Sequence, residues 1–337
     1  MLSPFKYPIF LVLIYLCHIP QASYCGDVEL GRVNWLRDLE QAKAEARKQH
    51  KPIFILFQEV PGCSTCKNYG SQVLSHPLIV EAIESHFVPV CIFNNKGGKD
   101  RKALEFFGEP SWNNPVVRMV YGDLSPLVGR INGDYSSYGL VSGINAALIK
   151  LGQTVPEYLS LLEEELLGNQ VGAEQAVIGM YCFWSGEKSY GKMKGVLSTT
   201  AGFMNGAEVV TIRYNPRLTN LHQLIREGRQ QGVADKLYES SDKRKLVEIP
   251  VYQSGIFKKD PEDKYYLYQS PYKYLPMTAL QATRANSLLA DGKSCDPLLS
   301  PRQLQRLRKI RELKNAKLKN QIGQDLITAW YDPALPQ

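Results

Sequence analysis

Clustered cysteines, histidine pairs and long hydrophobic runs are all scarce in this chain of 337 residues. Its 7 cysteines, at positions 17, 25, 63, 66, 91, 182 and 295, are too few and too scattered for a disulfide scaffold at this length. With 5 histidines, one CxxC and no second CxxC or histidine pair at suitable spacing, no metal centre is expected. Long Gly/Ser tracts, low-complexity segments and internal repeats are absent, which excludes a repeat array. The net charge of +7 is local: residues 302–319 hold eight Lys/Arg against one acid, Glu312. No aromatic pattern or motif accompanies that segment, so nucleic acid is not an expected partner.

What is present is ordinary for globular proteins: 44% hydrophobic and 22% charged residues, in a length that suggests two domains. Lys6 is the only charge before the apolar residues 7–19, which are followed by Pro20, Gln21, Ala22 and Ser23. That run is short for a membrane span and fits a secretory signal in residues 1–25, the alternative being an uncleaved N-terminal anchor. An exported chain with a CxxC points to redox chemistry in a bacterial periplasm or envelope.

Residues 35–49 are rich in helix formers, with Leu36, Leu39 and Ala42 at helical spacing. Residues 53–57 form a short unbroken apolar run, the pattern of a central strand buried on both faces. Pro61 and Gly62 end it, and Cys63, Ser64, Thr65 and Cys66 open the next helix. Further strands are expected at 87–93, 116–121 and 128–131, and a helix at 140–148. A CxxC on a first helical turn exposes its first thiol, favours its thiolate and keeps the second within disulfide reach. Pro115 enters the strand at 116, a place for a cis peptide bond or a simple turn. Cys91, inside an apolar strand, reads as a packing residue.

This order of elements around Cys63 and Cys66 resembles the thioredoxin fold over about residues 30–150. Val60, Pro61, Gly62 and Cys63 look like a thioredoxin-like subfamily in which VPG precedes Cys or selenocysteine. The resemblance implies a redox-active pair and a cis-proline at Pro115 packed against it. The tryptophan that usually precedes the first cysteine is replaced by Gly62. A helical connector follows at 153–173, with Thr154 as cap, Pro156 in the first turn and Gly168 and Asn169 as its end. The expected boundaries are 26–152 for the first domain and 174–330 for the second.

In the second half an apolar strand at 176–180 stops at Tyr181 and Cys182, and a helix starts there. A thiol at a strand-to-helix turn meets backbone N–H groups that favour the thiolate, although a lone cysteine is commonly a small core residue. Residues 207–216 then alternate as a strand. Cys182, Phe183 and Trp184, then Gly195 and Val196, Ser198 and Thr199, Gly202 and Gly206, then Ala207, Glu208 and Val209, and Tyr214, Asn215 and Pro216 follow in an order that resembles the A-type peptide methionine sulfoxide reductases. Residues 251–257, with Tyr252, look like a later strand of that family.

The resemblance implies a nucleophilic Cys182, with Glu208 and Tyr252 hydrogen bonding and protonating the sulfoxide oxygen, and Phe183 and Trp184 holding the S-methyl group. A sulfoxide sulfur accepts a thiolate only as its oxygen is protonated, which is why an acid and a hydroxyl belong beside the thiol. The resulting sulfenic acid needs a second thiol. Cys295, in a turn-rich stretch expected to be exposed, is the downstream candidate. Cys63 and Cys66 would then reduce the pair they form. Glu187 matches a family position but reads as a surface residue of its helix.

Three departures stand out. The family's loop between Gly206 and Ala207, with its tyrosine, is missing; Tyr181 replaces the glycine before the nucleophile; and no histidine precedes Ala207. They leave open a trimmed enzyme or a derived domain. A last helix starts at Ser300, Pro301, Arg302 and Gln303, a capping-box pattern, with an apolar stripe at Leu304, Leu307, Ile310 and Leu313.

The whole reads as an α/β (α+β) chain, a thioredoxin-like domain followed by a methionine sulfoxide reductase A-like domain. The expected activity is reduction of peptide methionine (S)-sulfoxide, with oxidised proteins and an external thiol reductant as partners and no cofactor. The alternative is a thiol–disulfide oxidoreductase whose second half only binds substrate.

Overall fold

The computed structural model describes residues 27–239, 248–313 and 318–335. The signal read in residues 1–25 lies outside them. Among the described residues no helix is long and apolar enough to cross a membrane.

The first sheet is built from α1 (Leu39–Gln49), β1 (Ile53–Gln58), α2 (Ser64–Asn68), α3 (Pro77–His86), β2 (Val88–Phe93), α4 (Lys99–Phe107), β3 (Val116–Val120), β4 (Ile131–Asn132) and α5 (Ser137–Lys150). Its strand order is β2-β1-β3-β4, with β1 parallel to β2 and antiparallel to β3. Every residue of β1 is buried. Ile53, Ile55 and Phe57 pack with Ala42 and Ala46 of α1 and Leu104 of α4. Phe54 and Leu56 pack with Leu78 of α3 and Leu140 of α5 on the other face. A strand covered by helices on both faces has no polar side to show, which explains the unbroken apolar run.

Two local expectations shift. The helix expected from residue 35 begins at Leu39, because Asp38 caps it by accepting from the amides of Glu40 and Gln41. Of residues 128–131 only Ile131 lies in a strand, the two-residue β4.

The connector is α6 (Glu157–Gln170), and it belongs to both halves. Tyr158, Leu159 and Leu162 complete the first core, while Leu161 packs in a cluster with Leu280, Leu298 and Leu307. Gly168 does not end this helix; a Cβ there would stand 2.4 Å from Leu197, so the glycine is where the helix meets the second sheet.

That sheet comprises β5 (Glu174–Gly179), β6 (Val196–Met204), β7 (Ala207–Tyr214), β8 (Lys236–Glu239), β9 (Val251–Gln253) and β10 (Lys258–Lys259), in the order β10-β6-β7-β5-β8-β9. Helices α7 (Phe183–Tyr190) and α8 (Leu221–Gln230) cover the face carrying Ile178, Val210 and Ile212. Asn205 and Gly206, at φ of 49° and 77°, form a two-residue turn between Met204 and Ala207. This Asn-Gly hairpin is how the chain closes without a loop at that point.

Helices α9 (Tyr265–Tyr268), α10 (Ala279–Ala290), α11 (Pro301–Glu312) and α12 (Leu326–Trp330) bring the chain back to the first sheet. Ser300 caps α11 in a capping box with Gln303. The Ser300 hydroxyl also donates to Glu81 of α3 at 2.6 Å, and the Arg302 amide donates to the other Glu81 oxygen at 2.7 Å. Arg302 pairs with Glu84, and Trp330 joins the first core beneath the Arg306 guanidinium. Burial pushes the Glu81 carboxyl above its usual range, and the two donors offset part of that cost.

The contact between α3 and α11 therefore rests on a buried acceptor. Glu81→Ala leaves the Ser300 hydroxyl and a helix-end amide without it. We expect a loss of about 2–3 kcal/mol, hydrogen bonds to a charged group being worth about 1.5–3 kcal/mol each and the lost desolvation cost returning some. Urea unfolding checks this; an unchanged midpoint would show that the contact carries no stability.

Candidate active site

Two thiols stand at the starts of helices, one on each sheet. In the first, Cys63 is exposed at the N-cap of α2, and its sulfur lies 3.7 Å from that of buried Cys66. The Asn114–Pro115 peptide is cis, as is Val60–Pro61. The Asn114 side-chain oxygen accepts from the Cys66 thiol at 2.7 Å. Behind the pair, buried Gln58 donates to the carbonyls of Glu29 and Cys66, at 2.8 and 3.2 Å, and the Glu29 carboxylate accepts from the Gly62 amide at 2.8 Å.

Gly62 is where a tryptophan would usually stand, and the structure shows why none fits. A Cβ at Gly62 would lie 2.4 Å from the Glu59 carbonyl oxygen and 2.7 Å from the Cys66 Cβ. The end of β1 is folded tightly over the CxxC turn, and only a residue without a side chain passes between them.

The two thiols differ as their surroundings require. Hydrogen bonds from the backbone and thiol of Cys66 and from Thr65 favour the Cys63 thiolate and lower that thiol below its usual range. Burial pushes the Cys66 thiol up to about 11. An exposed thiol favoured as thiolate suits attack, and a buried one raised by burial suits resolution.

In the second centre, β5 ends at Gly179, and the Met180 amide donates to the Glu208 carbonyl at 3.1 Å. Tyr181 turns outward, 91% exposed, and half-buried Cys182 is the N-cap of α7. The Glu208 carboxylate reaches across from β7 and accepts from the Phe183 amide at 2.8 Å. It does the work of a capping side chain beside the sulfur. Among the described residues its other oxygen has no hydrogen-bond partner.

The walls are aromatic. Phe183 and Trp184 meet edge to face at 5.7 Å, and Phe183 meets Phe203 at 5.3 Å. Phe203 is the cross-strand partner of Glu208. Trp184 stacks on Tyr265 at 4.1 Å, and its indole N–H donates to Asp260 at 3.3 Å. Phe203, Tyr265 and Asp260 are additions to the residues expected from sequence. The Asn-Gly turn could have found Phe203, since a two-residue hairpin pairs 204 with 207 and hence 203 with 208.

Three expectations need correction. Glu187 is not a surface residue: it is 0% exposed, accepts from the Thr199 hydroxyl at 3.1 Å and the Lys264 amide at 2.9 Å, and burial raises its carboxyl. It anchors α7 to the segment that carries Tyr265. Cys295 is not in an exposed tail: it is 0% exposed, bonds the Ala285 carbonyl at 3.3 Å, and burial pushes its thiol up to about 12. Its apolar neighbours Leu280, Leu298 and Leu307 outweigh the turn-forming residues beside it. Tyr252 is not gathered with Glu208. Its ring lies 6.0 Å from that of Tyr238, which packs with Met204 and Val209 on the opposite face of the sheet.

A family described as thioredoxin-like matches residues 34–121. The peptide methionine sulfoxide reductase MsrA of Methanococcus maripaludis is 41% identical over 69 residues, covering 15% of this chain and 44% of that protein. The enzyme of that name from Nostoc sp. is 32% identical over 81 residues, covering 19% and 50%. The mitochondrial peptide methionine sulfoxide reductase of Homo sapiens is 33% identical over 72 residues, covering 16% and 31%. This chain thus spans half or less of the length of these curated relatives. A solved DsbH oxidoreductase aligns at 16% identity and a TM-score of 0.31, over 38% of this chain and 92% of that one. The chain holds a thioredoxin-like domain and, in part, a segment similar to the sulfoxide reductases.

The asymmetry of the first pair predicts its chemistry. With limiting iodoacetamide, Cys63 is expected to alkylate first, with a pH midpoint below that of an ordinary thiol, while Cys66, raised chiefly by burial, reacts only at higher pH. Peptide mapping by mass spectrometry checks this, and equal labelling of both would remove the assignment of roles.

Proposed function

We propose that this chain is a thiol oxidoreductase that reduces methionine (S)-sulfoxide in peptides to methionine, with Cys63 and Cys66 returning Cys182 to its thiol. The observation that carries this is Cys182 at the start of α7, next in the chain to the Phe183 amide that holds the Glu208 carboxylate at 2.8 Å, with the Phe183 ring meeting those of Trp184 and Phe203.

The S-methyl group enters the aromatic cup, whose rings suit a thioether and its methyl by apolar and sulfur–aromatic contact. The Cys182 sulfur attacks the sulfoxide sulfur while Glu208 delivers a proton to the oxygen. In the S–S adduct so formed the protonated oxygen passes to the Cys182 sulfur as the original S–O bond and the S–S bond break, so that methionine leaves as its thioether and Cys182 is left as a sulfenic acid. An incoming thiol condenses with that acid and releases water. Buried Cys295 is poorly placed for this step, so it falls to exposed Cys63. Cys66 then displaces Cys182 and forms the Cys63–Cys66 disulfide, which an external thiol donor reduces. No cofactor takes part. The signal-like residues 1–25 support export, so the substrates are oxidised proteins of the periplasm or envelope.

The missing loop and the displaced Tyr252 favour the second reading, a thiol–disulfide oxidoreductase whose C-terminal half only binds substrate. A methionine sulfoxide peptide with dithiothreitol as reductant separates the two. Cys182→Ser is expected to abolish turnover, Glu208→Gln to slow kcat by about 10²–10⁴-fold as loss of a general acid does, and Phe203→Ala to raise KM for the sulfoxide peptide. Undiminished turnover in Cys182→Ser would discard Cys182 as the nucleophile, and absence of turnover in the unaltered chain would favour the second reading. Mixing Cys182→Ser with Cys63→Ser under a thioredoxin-type donor tests the relay: recovered turnover means that it passes between copies.

A further inference from the structure

The turn that excludes a side chain at Gly62 has a second effect. It brings the carboxylate of Glu59, just past β1, to the two sulfurs of the CxxC. Ligand atoms of Glu59, Cys63 and Cys66 all lie within 4.8 Å of one another. Spacing did not reveal this set, because the expected partner of a CxxC was a second CxxC or a histidine pair.

We propose that the reduced CxxC is a zinc site, with Cys63, Cys66 and Glu59 as ligands. The sulfurs are 3.7 Å apart, and two thiolates on a tetrahedral zinc, each about 2.3 Å from the ion, stand about 3.8 Å apart. Two thiolates and one carboxylate are a donor set that suits this borderline ion better than magnesium or calcium, which take oxygen alone. Glu59 is half-buried, and its carboxylate already lies within 4.8 Å of both sulfurs. Exposed Cys63 leaves the fourth position to water.

The surroundings fit the charged form. Asn114, now accepting from the Cys66 thiol, presents its N–H₂ to a thiolate once its amide turns over. Binding releases both thiol protons, and the disulfide removes both ligands. Zinc occupancy and disulfide formation therefore exclude one another, and the ion holds the pair in its reduced form.

The test uses the full chain, reduced and oxygen-free, titrated with zinc alone against a chromophoric chelator. The expected result is one zinc per chain, lost in Cys63→Ser and in Cys66→Ser, weakened about tenfold or more in Glu59→Gln, and absent from the disulfide form. Zinc should also protect Cys63 from alkylation. No stoichiometric binding would overturn the proposal, and so would Glu59→Gln binding as tightly as the unaltered chain, which would mark an adventitious dithiol. Circular dichroism confirms that each variant folds. Disulfide exchange measured with chelator present reports on the redox function by itself, so its failure and the failure of the zinc site are distinguishable.

Discussion

One hydrogen bond, from the Phe183 amide to the Glu208 carboxylate, fixes the geometry around Cys182 in the second half. It joins the strand that carries the acid to the helix that carries the sulfur. Everything else about the cup follows from those two elements being held in register. Phe203 is beside Glu208 because the hairpin register puts it there, and Phe183 meets Phe203 because α7 begins where that bond is made. Glu187, a turn further along α7, is pinned by Thr199 and Lys264, so the helix is held at both ends of its first turns. Buried ionic contacts of this kind add little net stability but leave few alternative arrangements, since breaking one strands a charge.

The elements themselves were legible wherever local chemistry decides them. The unbroken apolar run of β1, the capping box of α11 and the thiol at the start of α7 are each settled by residues a few positions apart. The Asn-Gly turn was equally local. What was not legible was anything set by contacts distant in sequence. Cys295 sits among glycine, lysine and aspartate in the chain, yet packs with leucines from α10 and α11. Glu187 looks like a helix-surface acid until Lys264 arrives from 77 residues away. Gly168 resembles a helix stop but marks a close crossing with Leu197. Tyr252 depended on matching a family strand, and the strand is present while its ring packs on the other face.

The two halves are not simply strung together. α6 contributes Tyr158 and Leu159 to one core and Leu161 to another, and α11 and α12 return to α3 through Glu81 and Trp330. The basic helix α11 is the clasp between the halves, with Arg302 turned onto Glu84 of α3 and Arg306 onto Trp330 of α12. Such a clasp limits hinge motion, because opening it would expose a buried carboxylate and a tryptophan together.

That rigidity bears on how electrons move. Of the described cysteines, Cys66, Cys91 and Cys295 are buried, and burial raises each of their thiols. Only Cys63 and Cys182 combine a helix start with access to solvent. Thiol exchange needs the attacking sulfur in line with the bond it breaks, so among the described cysteines the proposed relay would run between those two sulfurs. They stand on separate sheets whose joint is tied by α6 at one point and by α11 at another. A flexible tail bearing a second thiol would remove the geometric demand, but burial of Cys295 takes that role from the downstream chain. The proposed relay would therefore use a fixed approach of the two sites, or a second copy whose CxxC is free to dock. In both cases specificity lies in surface complementarity around Cys63 and Cys182, with the thiol chemistry the same.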